Sequence, residues 1–166
     1  MLFAPLAEAD TRRPADDSIQ VMRIAISVLL LVSSLAAADN AGKAVVVTDT
    51  AIVLREPIYF ETAKPVLKSE SFPLLDALAT TIKGDKHLAL VEIQGHTDAR
   101  GNDDWNLAIS EKRAQAVYKY LVAKGVDAKR LRAKGYGETK PLDKGANPKA
   151  WAKNRRIDFV ILQRIH

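Results

Sequence analysis

Asp98 and Arg113 are the side chains whose types and settings point most directly to chemistry. Asp98 lies in the polar, glycine-containing stretch Gly95-His96-Thr97-Asp98-Ala99-Arg100-Gly101, and Arg113 follows in a segment with helical periodicity. A loop carboxylate and a planar helix cation held a few ångströms apart can take the two ends of a zwitterion, the guanidinium fork meeting a carboxylate through two parallel hydrogen bonds. On residue types alone the favoured reading is that they close on each other as a structural ion pair, which contributes only about 0–1 kcal/mol when exposed. Asn106 and Ile109 precede Arg113 by 7 and 4 residues, so all three share a helix face beside the loop and can wall a pocket.

Other chemistries find little support. The histidines are His87, His96 and His166 and cysteine is absent, so no metal-ligand set, thiolate nucleophile, disulfide or Cys-linked lipid can be composed from the sequence. Ser110 sits inside the helical segment with no histidine nearby and reads as a small packing residue rather than a nucleophile. Gly135-Tyr136-Gly137 is followed by no helix start, so it is a strand end and not a phosphate loop. No catalytic residue, metal or cofactor is therefore expected. With 48% hydrophobic, 27% charged and 6% aromatic residues, the composition is that of one folded domain.

The elements that must position these groups follow from the hydrophobic pattern. Ala44–Val47 is β-prone, and Ile58-Tyr59-Phe60 is a second short strand candidate flanked by Pro57 and Pro65. Phe72, Leu75, Ala79 and Ile82 recur at helical spacing, predicting a helix over 69–83 that Gly84 ends. Leu88–Ile93 is a near-continuous apolar run, with Leu88 and Leu90 in one alternating set and Ala89, Val91 and Ile93 in the other, the mark of a strand covered on both faces. Asp103 or Asp104 can cap the next helix, whose inner face carries Leu107, Ala114, Val117 and Leu121 and which stops at Gly125. Leu131–Gly137 reads as a strand, 138–153 as turn-rich, and Ile157–Gln163 as the last strand, with Arg155 and Arg156 directed to opposite faces. The expected fold is α+β, a two-layer β-α-β-α-β-β arrangement with a mixed sheet covered by helices.

The N-terminal region has a separate logic. Met22-Arg23, the apolar run Ile24–Leu35 and Ala36-Ala37-Ala38 have the form of a secretory signal peptide over 22–38, too short for a membrane span. Residues 1–21 then reflect a start assigned too far upstream, and 39–51 form a tether or short strand. Cleavage after Ala38 would leave 22 basic and 16 acidic residues, about +6, which suits an anionic partner. No basic segment is interleaved with aromatics, so nucleic acid is not the expected one.

Four ordered motifs, Gly95-His96-Thr97-Asp98, Asn106 through Ala114, Gly135-Tyr136-Gly137-Glu138 and Asn154-Arg155-Arg156, together with Ile58-Tyr59-Phe60-Glu61, resemble the OmpA-like C-terminal domain over 52–166. The resemblance is to the peptidoglycan-associated lipoprotein type, without its lipidation Cys. It implies non-covalent binding of peptidoglycan through meso-diaminopimelate of the stem peptide, with Asp98 meeting the ammonium and Arg113 the carboxylate. Such binding would anchor or stabilise a Gram-negative envelope from the periplasm, at the cell wall and outer membrane, with envelope proteins as further partners. By the same resemblance Asn154 and Arg155 border the ligand or brace loops, Phe60 and Glu61 line the rim, and Thr97 shapes the loop or touches the ligand. Some relatives carry Gly-Arg where Ala150-Trp151 stands here, which argues against a further arginine contact. The competing readings are a wall hydrolase and, were the signal segment retained in the membrane, a stator-type wall anchor.

Overall fold

The computed structural model describes residues 44–165. The signal segment 22–38, the upstream start and residues 39–43 of the tether lie outside the described residues. A five-stranded mixed sheet takes the order β1-β2-β5-β3-β4, from β1 (Val45–Val47), β2 (Ala51–Leu54), β3 (Leu88–Gly95), β4 (Leu131–Gly135) and β5 (Ile157–Arg164). All neighbours are antiparallel except β3 and β4. That parallel pair needs a crossover, which α2 (Asp103–Ala123) supplies; α1 (Phe72–Gly84) precedes β3 and α3 (Pro148–Asn154) precedes β5. The α+β class with a mixed sheet and helices matches the expectation.

The core lies between the sheet and the two long helices. Leu75, Leu78 and Ile82 of α1, Ala114, Val117 and Leu121 of α2, and Val91, Ile93 and Phe159 of the sheet are buried together. Removing any of the large ones would cost about 2–5 kcal/mol. On the other side of β3 the covering is polar: buried Glu92 accepts hydrogen bonds from Arg132, Gln94 and Tyr136. These bonds hold the Glu92 carboxyl below its usual range against the opposing effect of burial, which is the largest single influence on it.

Several local readings change. Ile58-Tyr59-Phe60 is not a strand; it contributes one bridge, Phe60 to Leu67, because Pro57 and Pro65 keep the segment out of the sheet. The second strand is instead β2, and its hairpin with β1 brings residues upstream of Ile52 into the sheet. Asn102, rather than Asp103 or Asp104, caps α2 by accepting from the Asp104 and Trp105 amides, leaving the two aspartates in the first turn, where the helix dipole favours them. Leu107 is exposed, not core; the buried face of α2 runs instead through Asn106, Ile109, Ser110, Ala114, Val117 and Leu121. The segment taken as turns contains α3, started by Asn147, whose side chain accepts from Ala150 N–H, with Pro148 in the first turn.

Candidate functional site

The site forms at the carboxyl end of β3, the usual place for ligands beside parallel strands. A cavity of about 260 Å³ is lined by Ala63, Thr97, Asp98, Arg100, Trp105, Asn106, Ile109, Arg113 and Arg155. Six of these, Asp98, Arg113, Asn106, Ile109, Thr97 and Arg155, are residues singled out from the sequence. A larger groove of about 380 Å³ opens where β2 and β5 diverge, but it shares no lining residue with this cavity.

Asp98 is buried and does not meet Arg113. Its Oδ1 accepts from the Arg100 backbone N–H at 3.1 Å and from Arg100 Nε at 3.0 Å, and its Oδ2 accepts from Arg100 Nη2 at 3.0 Å and Arg155 Nη1 at 2.8 Å. The loop-to-helix ion pair considered above is therefore not the one formed. Arg100 first, then Arg155, lower the Asp98 pKa to about 2 against the opposing effect of burial. Arg100 also lies over the Trp151 ring at 4.3 Å. A third arginine thus lines the cavity although Ala150-Trp151 stands in place of Gly-Arg: its guanidinium arrives from the loop, and Trp151 is its platform.

Arg113 is held differently. Its guanidinium lies 5.2 Å from the centre of the Phe60 ring, and its Nε donates to the Lys64 carbonyl at 3.4 Å. Among the described residues no carboxylate pairs with it. Burial, and then the charge of Arg155, lower its pKa, so the cation is held in a setting that favours an incoming anion.

Asn106 holds the loop in place. Its Nδ2 donates to the carbonyls of Asp98 and Arg100, both at 3.2 Å, and to Glu138 Oε2 at 2.6 Å. Thr97 lines the cavity, and its Oγ1 is buried without a hydrogen-bond partner among the described residues. Ala63 adopts φ of 56° at the rim, the kind of local strain that collects at binding sites.

Three of the residues singled out from the sequence, Asn154, Glu61 and Phe60, lie outside the lining of this cavity. Asn154 does not border the cavity: buried, it accepts from the Leu142 and Asp143 amides and donates to the Asp143 carbonyl, so it braces that loop. Glu61 pairs with Lys64 at 3.0 Å and does not line the rim. Phe60 acts through Arg113 rather than on the cavity surface. Arg155 and Arg156 do diverge, Arg156 bonding Asp158 at 2.8 Å. Arg100, Trp105 and Ala63 are the lining residues the sequence reading passed over; the available signal was Arg100 two residues after an aspartate, the spacing of an Asx-type turn.

His96 sits behind the loop, 2% exposed and stacked on Tyr136 with ring centres 5.5 Å apart. Its Nε2 is 3.4 Å from Asp158, outside hydrogen-bond geometry, and neither ring nitrogen has a hydrogen-bond partner. Burial, then Arg156, lower its pKa to about 4; Asp158 opposes them and Lys140 adds to them. The folded state thus resists a proton that the unfolded chain accepts below pH about 6.5. Stability falls as the pH drops from 6.5 to 4, by on the order of 3 kcal/mol, and this loss levels off below 4. Denaturant unfolding across that range reads the slope, and His96→Phe, which keeps the stack and cannot titrate, flattens it. An unchanged slope in H96F would assign the acid sensitivity to another group.

The fold and cavity together define a two-layer α+β domain in which a carboxylate and a separate arginine line one cavity at a strand end. The chain belongs to the OmpA family, whose model matches residues 59–155. It is 40% identical over 101 residues to the peptidoglycan-associated lipoprotein of Pseudomonas aeruginosa, covering 61% of this chain and 59% of that protein. It is 32% identical over 111 residues to outer membrane protein A of Bordetella avium, covering 67% of this chain and 57% of that one. The chain spans about three fifths of the length of these curated relatives. Among solved structures, the peptidoglycan-associated lipoprotein of Burkholderia pseudomallei matches at 34% identity and a TM-score of 0.58, covering 64% of this chain and 89% of that one. The cell wall anchor of the T6SS from Pseudomonas aeruginosa matches at 28% identity and a TM-score of 0.62, covering 78% and 96%.

Proposed function

We propose that this domain binds peptidoglycan without cleaving it, by holding the diaminopimelate of a stem peptide between Asp98 and Arg113, and so ties the chain to the envelope. The observation that carries the reading is one cavity containing a buried carboxylate and a half-buried arginine that, among the described residues, has no carboxylate of its own. An amino acid that ends in both an ammonium and a carboxylate matches that pair, and the Arg113 fork suits the carboxylate geometry. Relatives named as peptidoglycan-associated and as a cell wall anchor support the same reading. Asp98, held near a pKa of about 2, is too acidic for proton transfer at neutral pH, which favours binding over hydrolysis. Periplasmic placement at the wall follows from this function. The test is sedimentation with purified sacculi of two chemistries. Diaminopimelate walls should retain the protein at least tenfold better than lysine walls, which lack the side-chain carboxylate. Equal retention would remove the two-charge grip, and release of soluble muropeptides would favour a hydrolase.

A further inference from the structure

The free site is not ready for an ammonium. Each Asp98 oxygen already accepts two hydrogen bonds, three of the four from Arg100 and one from Arg155. A cation entering from the cavity has to displace a guanidinium. Arg100 is the one placed to leave: its side chain is 55% exposed, against 44% for Arg155, and the Trp151 face, 4.3 Å away, can carry it once Asp98 is released.

Charge sharpens the consequence. Arg100, Arg113 and Arg155 line the cavity with a single carboxylate, Asp98, among them. A ligand end with one ammonium and one carboxylate brings no net charge, so it satisfies Asp98 and Arg113 while leaving Arg100 without the anion it had. Parting a guanidinium from a mostly buried carboxylate opposes binding unless another anion replaces it. The arrangement is balanced by a ligand with a second carboxylate close to the first pair of charges.

We propose that Arg100 is a specificity residue of this site: on ligand entry it exchanges Asp98 for a second ligand carboxylate, so the domain selects peptides in which that group is free over those in which it is amidated. This rests on the wall-binding reading above. In a stem peptide the group in question is the α-carboxylate of the γ-linked glutamyl residue that precedes diaminopimelate. Arg100 then serves twice, as the counter-ion of Asp98 in the empty site and as the reader of the neighbouring residue in the filled one.

The test is calorimetric titration of the full chain with two synthetic tripeptides, alanyl-γ-glutamyl-diaminopimelate with the glutamyl α-carboxyl free, and the same peptide with that carboxyl as its amide. The wild type should bind the free acid at least tenfold more tightly. Arg100→Gln should bind the amide no more weakly than the wild type does, because Asp98 is already released, and its preference should fall to within twofold. Equal affinities in the wild type overturn the inference and leave the wall-binding reading standing. A tenfold preference that persists in R100Q overturns the role of Arg100, as does an R100Q protein that binds neither peptide. Binding of neither peptide by the wild type instead removes the wall-binding reading, and this inference with it.

Discussion

Asp98→Ala should abolish retention by diaminopimelate sacculi, raising the dissociation constant at least ~100-fold, while the domain stays folded. The size follows from the geometry. Asp98 is a buried carboxylate with a pKa of about 2, so at neutral pH it is ionised while the ligand ammonium is charged, and truncating one side of a buried, hydrogen-bonded charge pair costs roughly 2–5 kcal/mol of binding. The fold should survive because the partners left behind, Arg100 and Arg155, are 55% and 44% exposed at their side chains and can return to water. Arg113 gives the complementary experiment. R113A removes the carboxylate's partner, and R113K keeps the charge but loses the fork and its seat on Phe60, so it should still bind at least ~10-fold more weakly. A D98A protein retained as well as the wild type would end the assignment of this carboxylate to the ligand.

The sequence carried the site's framework further than its connections. The loop carrying Asp98 and the helix face of Asn106, Ile109 and Arg113 were readable because a glycine-bounded polar stretch and a 3.6-residue period are local signals. The partner of Asp98 was not, because it is chosen by where a loop folds back: Arg100 reaches its neighbour through a turn, and Arg155 arrives from the far end of the chain. Asn154 and Arg155 are adjacent in sequence, yet one braces a loop and the other reaches the cavity, a divergence set by the exit of α3. That helix runs only over Pro148–Asn154, too short for a period to show. Ile58-Tyr59-Phe60 looked like a strand because aromatic and β-branched residues favour one, whereas Phe60 is used as the platform beneath Arg113.

The second large effect is expected in the scaffold: Gly95→Ala should destabilise the domain by more than about 3 kcal/mol and, near its unfolding threshold, abolish binding with it. Gly95 and Gly135 are register partners at the ends of β3 and β4, and both lie under the Ser110–Glu111 turn of α2. A Cβ on Gly95 would run into the Ser110 backbone carbonyl, and one on Gly135 would lie 2.6 Å from Ser110 Oγ and 2.8 Å from Glu111 Cα. The obstruction at Gly95 is helix backbone, so relief requires lifting α2 off the sheet, and overpacking of that kind costs typically 1–3 kcal/mol or more. Ser110 is also tied there, accepting from Gly137 N–H at 2.9 Å and donating to the Leu107 carbonyl at 2.8 Å, so the lift would strand buried polar groups as well. Ile109 and Arg113 flank this turn and line the cavity, so the close approach that demands glycine also sets the depth at which the arginine enters it. Gly84→Ala is the control: nothing lies within 4 Å of its added Cβ, so its midpoint in denaturant should move little or rise. Similar midpoints for G95A and G84A would show that α2 is not seated by contact at Gly95.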